Sequence, residues 1–249
     1  MDVTLPDLQA ARLAAKDVRR QSFSAHPFGR ELPHDEELAV YDDGRTDVDA
    51  VLVALPGSHD KMAGIPAVDV FDQVRDLPVR RILLRGLAQP DAVAHPLGGS
   101  LDEVTQSLRD LLAPHRRVVF CGASFGGFLA LWFATLLEAP AVLAFGPTTT
   151  LDPAFLREIG DDRYDGVPLV SDPAWLARYA DPTRGWVDGA GPHTVLHYGY
   201  RHETSRPHAE RIADFPNVVL KPHFERTVMA KIRDDGSLRQ DLLAALLIG

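Results

Sequence analysis

Short, continuously apolar runs alternate with stretches of helical periodicity along this chain, and this alternation restricts its fold more than any other feature. Residues 48–55 and 141–145 are apolar on both faces, the pattern of a strand buried between two layers. Residues 101–112 instead carry apolar side chains on one side of a helix and charged ones on the other. Strands and helices that alternate in this way form a parallel sheet with helices on both faces.

The recurrence of the pattern predicts an α/β fold with a mostly parallel sheet of about seven strands and right-handed crossovers. The predicted strands are 37–41, 48–55, 81–85, 117–121, 141–145, 194–198 and 218–220. The predicted helices are 5–20, 101–112, 125–137, 228–232 and 238–248. Residues 125–137 are hydrophobic almost all round, which predicts a helix buried on every side.

Residues 148–192 interrupt the rhythm. They are rich in Asp, Pro and Gly with aromatic residues between them, and they greatly exceed the ~2–6 residues of an ordinary αβ connection. We therefore expect one domain over residues 1–249 with a cap-like insertion at 148–192 that contains short helices. A surface excursion without a role in binding is the alternative.

Composition excludes several classes of protein. The net charge is −9 with acids spread along the chain, whereas nucleic-acid binding needs a clustered basic surface. No apolar run reaches the ~18–20 residues of a membrane span, and no signal peptide is visible, so we expect a cytoplasmic protein. Cys121, the single cysteine, lies in an apolar run and is expected to be a buried structural thiol. The histidines are scattered along the chain, so we predict no metal site. The sequence has no P-loop motif, and we predict no cofactor.

One motif carries chemistry. Gly122-Ala123-Ser124-Phe125-Gly126 has the form G-x-S-x-G, and it follows an apolar strand and opens an apolar helix. A serine on such a sharp turn has a strained backbone, and the residues two before and two after it approach closely. Glycine at both places removes the Cβ atoms that would clash. The turn exposes the Ser124 hydroxyl and directs N–H groups of the helix start toward one point, where negative charge is stabilised.

At these residues the sequence resembles the α/β-hydrolase superfamily, in particular small bacterial members whose motif reads G-A-S-x-G-G before an apolar helix. The resemblance extends from the strand at 48–55 to the C-terminal helix, and the motif around Ser124 is its only specific part. It implies a nucleophilic serine followed in chain order by an acid and a histidine. It also implies an oxyanion hole formed by the N–H after the nucleophile and a second N–H after an earlier strand.

For the base, the resemblance implies a histidine after the last strand, and His223 is the only histidine beyond His208. Relatives place that histidine just before the helix at 228–232, so His223 stands three residues early. His223 is the predicted base, and His202 and His208 remain alternatives.

For the acid, the resemblance implies G-x-x-D after the strand at 194–198. This chain has His202 at the place of that aspartate, and Glu203 follows it. Glu203 is the predicted acid, because glutamate also serves in such triads. Asp152, after the strand at 141–145, is the alternative.

The expected oxyanion hole consists of the Phe125 N–H and a second donor at Gly57 or Ser58. The neighbouring His59 is expected to contact substrate at the rim of the site. The aromatic residues of the insertion suggest an apolar or sugar-bearing ligand, with Trp175 and Tyr179 as predicted contacts.

Together these features predict a serine esterase or thioesterase that cleaves a small-molecule or glycan-linked acyl substrate through an acyl-enzyme on Ser124. Two alternatives stay open. One is a catalytically degenerate hydrolase fold that serves as a binding or assembly module in a bacterial polysaccharide or biosynthetic pathway. The other is an acyltransferase that uses the same serine. The acidic surface predicts no attraction for anionic substrates, and the sequence does not indicate an oligomeric state.

Overall fold

The computed structural model describes residues 39–57, 61–86, 97, 100–165, 167, 171–186, 190–224 and 228–248, together with a short strand at 21–22. The helix predicted at 5–20 lies outside the described residues. The strands are β1 (Gln21–Ser22), β2 (Ala39–Asp42), β3 (Ala50–Leu55), β4 (Lys61–Met62), β5 (Ile65–Pro66), β6 (Val79–Arg85), β7 (Arg117–Ala123), β8 (Ala141–Phe145), β9 (His193–Gly199) and β10 (Val218–His223). The helices of the described residues are α1 (Val68–Asp72), α2 (Leu101–Leu112), α3 (Phe125–Leu136), α4 (Pro153–Glu158), α5 (Pro173–Tyr179), α6 (Ser205–Glu210), α7 (Val228–Asp234) and α8 (Ser237–Leu247).

Eight strands form one sheet in the order β1-β2-β6-β3-β7-β8-β9-β10. The strands from β6 to β10 in this order are parallel to their neighbours, while β2 pairs antiparallel with β6. The predicted α/β class with a mostly parallel sheet is confirmed, and β1 at the edge brings the strand number to eight. Because the central strands are parallel, the carboxyl ends of β3, β7 and β9 lie along the same edge of the sheet.

Two apolar clusters cover the two faces of the sheet. One contains residues of α2 and α3 and the side chains of β3 and β7 that point toward them, such as Val53 and Phe120. The other contains residues of α1, α7 and α8 with the alternate side chains of the same strands, such as Leu52 and Cys121. Cys121 is fully buried, and burial raises the pKa of its thiol. The two-sided burial explains why these strands are apolar without alternation.

Helix α3 is apolar all round because it is covered on both sides. Phe128 and Phe133 are completely buried in the cluster beside the sheet. On its other side, Trp132 donates a hydrogen bond of 2.6 Å to the Tyr179 carbonyl in the insertion. The insertion therefore completes the burial of α3.

Two of the Asp-Pro pairs of the insertion begin helices. Asp152 accepts a hydrogen bond from the Ala154 N–H at the start of α4, and Asp172 accepts one from the Ala174 N–H at the start of α5. In each case proline occupies the first helical position, where it lacks only an N–H that would have no helical partner. The Asp-Pro pattern that interrupts the alternation of strands and helices in the sequence therefore marks the N-caps of α4 and α5.

Strand β6 carries three buried arginines, and two of them pair with acids at the end of the neighbouring β2. Arg80 Nε donates to Asp42 Oδ1 at 2.9 Å, and its Nη1 lies 3.0 Å from His115 Nε2. Arg81 Nε donates to Asp43 Oδ2 at 2.8 Å. The acids at the end of β2 therefore allow arginines within the sheet.

Two classes of feature are not found among the described residues. None of their helices has both the length and the apolar character needed to cross a membrane. They also contain no group of three or more metal-ligating side chains that could hold an ion.

We expect Asp42→Ala to lower the free energy of unfolding by about 3–5 kcal/mol, because it leaves the Arg80 charge buried without its carboxylate. The control Asp47→Ala, at an exposed position, should change it by no more than about 0.5 kcal/mol. Urea denaturation followed by circular dichroism measures both. The double variant Asp42→Ala/Arg80→Met should recover most of the loss, and failure to recover would contradict this account of the pair.

Candidate active site

Ser124 lies on the turn between β7 and α3 with φ +52° and ψ −122°. Positive φ is strained for a residue with a side chain and persists only where the surroundings enforce it. Here the Ser124 N–H donates to the Phe145 carbonyl at 3.1 Å, and the Ser124 carbonyl accepts from the N–H groups of Gly127, Phe128 and Thr148. These hydrogen bonds fix the turn to the start of α3 and to the neighbouring strand β8.

The glycines on either side of Ser124 are required by close backbone contacts. A Cβ at Gly122 would lie 2.2 Å from the Gly126 carbonyl oxygen, and a Cβ at Gly126 would lie 2.2 Å from the Leu55 carbonyl oxygen. Neither position has space for a methyl group. The turn is therefore packed against itself and against the end of β3.

Ser124 opens onto a cavity of about 380 Å³ at the carboxyl edge of the sheet. Gly57, after β3, and Lys61, in β4, line one part of it. His202, after β9, and Arg163, from the insertion, line another. Loops after two strands and a segment of the insertion thus meet at one serine hydroxyl.

The predicted oxyanion donors have different surroundings. Phe125 is the first residue of α3, so its N–H has no acceptor within the helix. The Gly57 N–H donates to the Lys61 carbonyl at 3.0 Å. A Cβ at Gly57 would lie 3.3 Å from Ser124 Cβ, so the absence of a side chain allows its close approach to the serine. Ser58 and His59 lie outside the described residues.

The predicted base, His223, contacts another histidine. Its Nε2 lies 3.0 Å from His197 Nδ1, and the two rings are stacked with centroids 5.2 Å apart. His197 Nε2 lies 3.0 Å from Asp241 Oδ2, but the atoms are poorly aligned for a hydrogen bond. The contact between His197 and Asp241 is therefore a close polar contact without a hydrogen bond. Lys221 forms an ion pair with the same Asp241 carboxylate. Among the described residues that line the Ser124 cavity, His223 is absent and His202 is present.

His202 is held at its Nδ1 atom. The Ser205 N–H donates to Nδ1 at 3.3 Å, and Thr204 Oγ1 lies 3.4 Å from the same nitrogen. The partly buried ring stands at the position where the resemblance implies the acid. Its neighbour Glu203, the predicted acid, is exposed. The alternative acid, Asp152, caps α4.

His208, the other alternative base, is completely buried with both ring nitrogens engaged. Nδ1 accepts the Thr149 N–H at 3.1 Å, so the proton of the neutral ring lies on Nε2, which is 3.1 Å from Asp161 Oδ2. Burial is the largest influence on the pKa of His208 and lowers it, although Asp161 acts in the opposite direction. The ring therefore supports Asp161.

Arg163 is a site residue that the sequence analysis missed. Its Nη1 lies 3.5 Å from Ser124 Oγ, while its Nε and Nη2 donate to the two carboxylate oxygens of Asp161 at 2.7 and 2.5 Å. Burial alone would raise the pKa of Asp161, but hydrogen bonds from Arg163 and His208 outweigh it and hold that pKa well below its usual value. No motif indicates this arginine, because the path of the insertion brings it to the serine.

The two predicted aromatic contacts lie on the packing side of the insertion. The rings of Trp175 and Tyr179 are 5.4 Å apart, and Tyr179 packs edge-on against Trp132 of α3 at 5.8 Å. Neither belongs to the described lining of the Ser124 cavity. Tyr164 lies closer to the site: it is buried against Phe125, with ring centroids 6.0 Å apart, and its hydroxyl lies 2.5 Å from Thr148 Oγ1.

Solved structures resemble this fold at low sequence identity. MGS-MChE2, an α/β hydrolase enzyme from the metagenome of sediments of the Mar Chica lagoon in Morocco, is 15% identical with a TM-score of 0.53, covering 82% of this chain and 92% of its own. Carboxyl esterase 2 from Tuber melanosporum is 14% identical with a TM-score of 0.55, covering 95% and 98%. Est1E from Butyrivibrio proteoclasticus, solved with ferulic acid bound, is 13% identical with a TM-score of 0.56, covering 83% and 94%. No protein-family model and no curated protein matches the sequence.

We expect Gly126→Ala to lower the free energy of unfolding by about 3 kcal/mol or more, since the added Cβ must displace backbone atoms. Gly185→Ala is the matched control, because no heavy atom lies within 4 Å of the Cβ it adds. It should leave stability unchanged or raise it by up to about 1 kcal/mol. Chemical denaturation measures both, and equal stability of the two variants would refute the close contact at Gly126.

His208 should make stability depend on pH. Below its ordinary pKa of about 6.5 the unfolded chain binds a proton that the folded His208, with its lowered pKa, does not bind. The free energy of unfolding should therefore decrease as pH falls through about 6.5, by up to ~1.4 kcal/mol per pH unit from this group. His208→Gln should reduce that slope in urea titrations at several pH values, and an unchanged slope would contradict the assignment.

Proposed function

We propose that this chain, which has the α/β-hydrolase fold, hydrolyses a carboxylic ester or thioester through an acyl-enzyme on Ser124. The observation that carries the proposal is the strained backbone of Ser124, which lines a cavity at the carboxyl edge of the sheet. Strain of this kind at a turn is retained where it serves a function. The cavity volume of about 380 Å³ also falls within the range of small-molecule sites.

The proposed reaction has two halves. Ser124 Oγ attacks the carbonyl carbon, the bond to the leaving alcohol or thiol breaks, and the serine proton passes through a base to the leaving group. Water then attacks the acyl-enzyme and releases the acid. The Phe125 N–H stabilises the oxyanion in both halves, with Ser58 as the proposed second donor. Transfer of the acyl group to an alcohol instead of water would use the same first half.

For the base we propose His202 in preference to His223. His202 lines the cavity into which Ser124 opens, whereas the Nε2 of His223 faces His197. Because Nδ1 accepts the Ser205 N–H, the proton of the neutral ring lies on Nε2. To accept the serine proton at Nε2, His202 must change tautomer, so that Nδ1 gives up the Ser205 N–H and donates to Thr204 Oγ1 instead. A hydroxyl then orients the ring in place of the usual carboxylate. Action by His223, assisted by Glu203, would require the ring to leave His197.

A further part of the proposal concerns the insertion at 148–192, which we propose acts as a cap. Arg163 and Tyr164 come from this segment and cover the serine from above the sheet edge. Several proteins with this fold are named esterases, which agrees with an ester as the substrate. The cap would then select the acyl group.

The competing proposal is a binding module that keeps the fold without turnover. It is favoured by the contact of His223 with His197 and by the exposure of Glu203. In that case the cavity would bind its ligand without activating Ser124.

A fluorophosphonate probe, read by intact mass, tests the proposal. We expect stoichiometric labelling of the wild type, none of Ser124→Ala, and full labelling of the control Ser107→Ala on α2. His202→Gln should slow labelling by about 100-fold or more, the contribution expected of a general base, while His223→Gln should change it little. If His223→Gln slows labelling strongly and His202→Gln changes it little, the base is His223. A folded wild type without labelling would favour the binding module.

A further inference from the structure

The charged residues among the described lining of the Ser124 cavity are all cationic. Lys61 and Arg163 line it, and no aspartate or glutamate is among its described lining residues. This contrasts with a net charge of −9 for the whole chain. The acidic surface suggested no attraction for anions, but the cavity itself has the opposite character.

Arg163 is held rigidly in this cavity by buried groups. Its Nε and Nη2 are engaged by both oxygens of Asp161, whose side chain is 0% exposed. Asp161 is in turn held by His208 Nε2 at 3.1 Å, and this side chain is also 0% exposed. Asp161 is not among the described residues that line the cavity, while Nη1 of Arg163 lies 3.5 Å from Ser124 Oγ. A guanidinium fixed in this way has lost its side-chain freedom before any ligand binds.

From this geometry we infer that the substrate is an ester whose acyl group ends in a carboxylate, that is, a half-ester of a short dicarboxylic acid. The inference rests on the proposed function and adds the substrate class.

Each residue has one role in this inference. Arg163 Nη1 donates a hydrogen bond to the free carboxylate, the charge of Lys61 attracts the same carboxylate, and Ser124 attacks the ester carbonyl.

The distances limit the length of the acyl group. A carboxylate oxygen bound to Nη1 lies about 2.9 Å from it, and Nη1 lies 3.5 Å from Ser124 Oγ. That oxygen is therefore at most about 6.4 Å from Oγ, while the carbonyl carbon under attack lies about 3–3.5 Å from Oγ. The carboxylate oxygen and the carbonyl carbon are therefore at most about 10 Å apart, so about six carbons or fewer separate the two carboxyl groups, as in malonyl, succinyl and glutaryl half-esters.

The kinetic test compares monoethyl succinate with diethyl succinate and ethyl butyrate, which share the ethyl leaving group, by proton release at constant pH. We expect kcat/KM for the ionised half-ester to exceed that for either neutral ester by at least about tenfold, as for a charged group bound by a fixed guanidinium. In Arg163→Gln this preference should disappear, while the circular dichroism spectrum should stay that of the wild type. Arg184→Gln, an exposed arginine of the same insertion, is the control and should keep the preference.

Two further variants guard against misfolding. Asp161→Asn/Arg163→Gln removes both charges of the pair and leaves no buried carboxylate alone. Lys61→Gln changes an exposed side chain and should reduce the preference by a smaller factor than Arg163→Gln. An undiminished preference in all three variants, or faster hydrolysis of the neutral esters by the wild type, would overturn the inference while leaving the serine hydrolase proposal intact.

A binding measurement separates the two proposals if no turnover occurs. Calorimetry of monoethyl succinate with Ser124→Ala should give a Kd at least about tenfold lower than with Ser124→Ala/Asp161→Asn/Arg163→Gln. Binding that depends on Arg163 without turnover in the wild type would support the anion site and refute the hydrolase. Equal or undetectable binding by both variants would overturn the anion site.

Discussion

The approach of three backbone segments around Ser124 is the constraint on which the rest of the site depends. The Gly126 position touches the Leu55 carbonyl at the end of β3, and Gly122 touches Gly126 across the turn. Because no side chain fits between them, the serine has one position relative to the sheet. The same contacts place the start of α3, and thus the Phe125 N–H, beside the hydroxyl. The strain at Ser124 is sustained by the hydrophobic packing of β7 and α3.

A second chain of contacts joins the insertion to this turn. His208 on α6 supports Asp161, Asp161 holds Arg163, and Arg163 reaches Ser124 Oγ. Each member would be unfavourable alone: a buried carboxylate needs its partners, and a buried neutral histidine needs both ring nitrogens satisfied. Together they hold a cation beside the Ser124 hydroxyl in an acidic protein. The electrostatic character of the cavity is therefore set by a few buried neighbours and differs from that of the surface.

Several elements were predictable because local rules determine them. The parallel strands were visible as continuous apolar runs, and the turn at Ser124 was visible because close backbone contact demands glycine on both sides. The hairpin of β4 and β5 was not predicted, since two-residue strands leave no period to detect. Short helices were expected in the insertion, but the bounds of α4 and α5 were obscured because Asp-Pro pairs signal both a break and a helix start. Arg80 and Arg81 of β6 depend on acids at the end of β2, a pairing that sequence distance conceals.

The sequence by itself determined the layered α/β architecture and the position of Ser124 on its turn, because apolar periodicity and glycine sterics act over a few residues. Only the tertiary structure decided which side chains surround that serine. His202 and Arg163 reach one cavity from segments far apart in the chain, and His223 meets His197 through the register of two adjacent strands. Such meetings depend on strand order, on register and on the path of an insertion. Strand order, register and the path of an insertion result from packing of the whole chain. They cannot be predicted from the pattern of a few neighbouring residues.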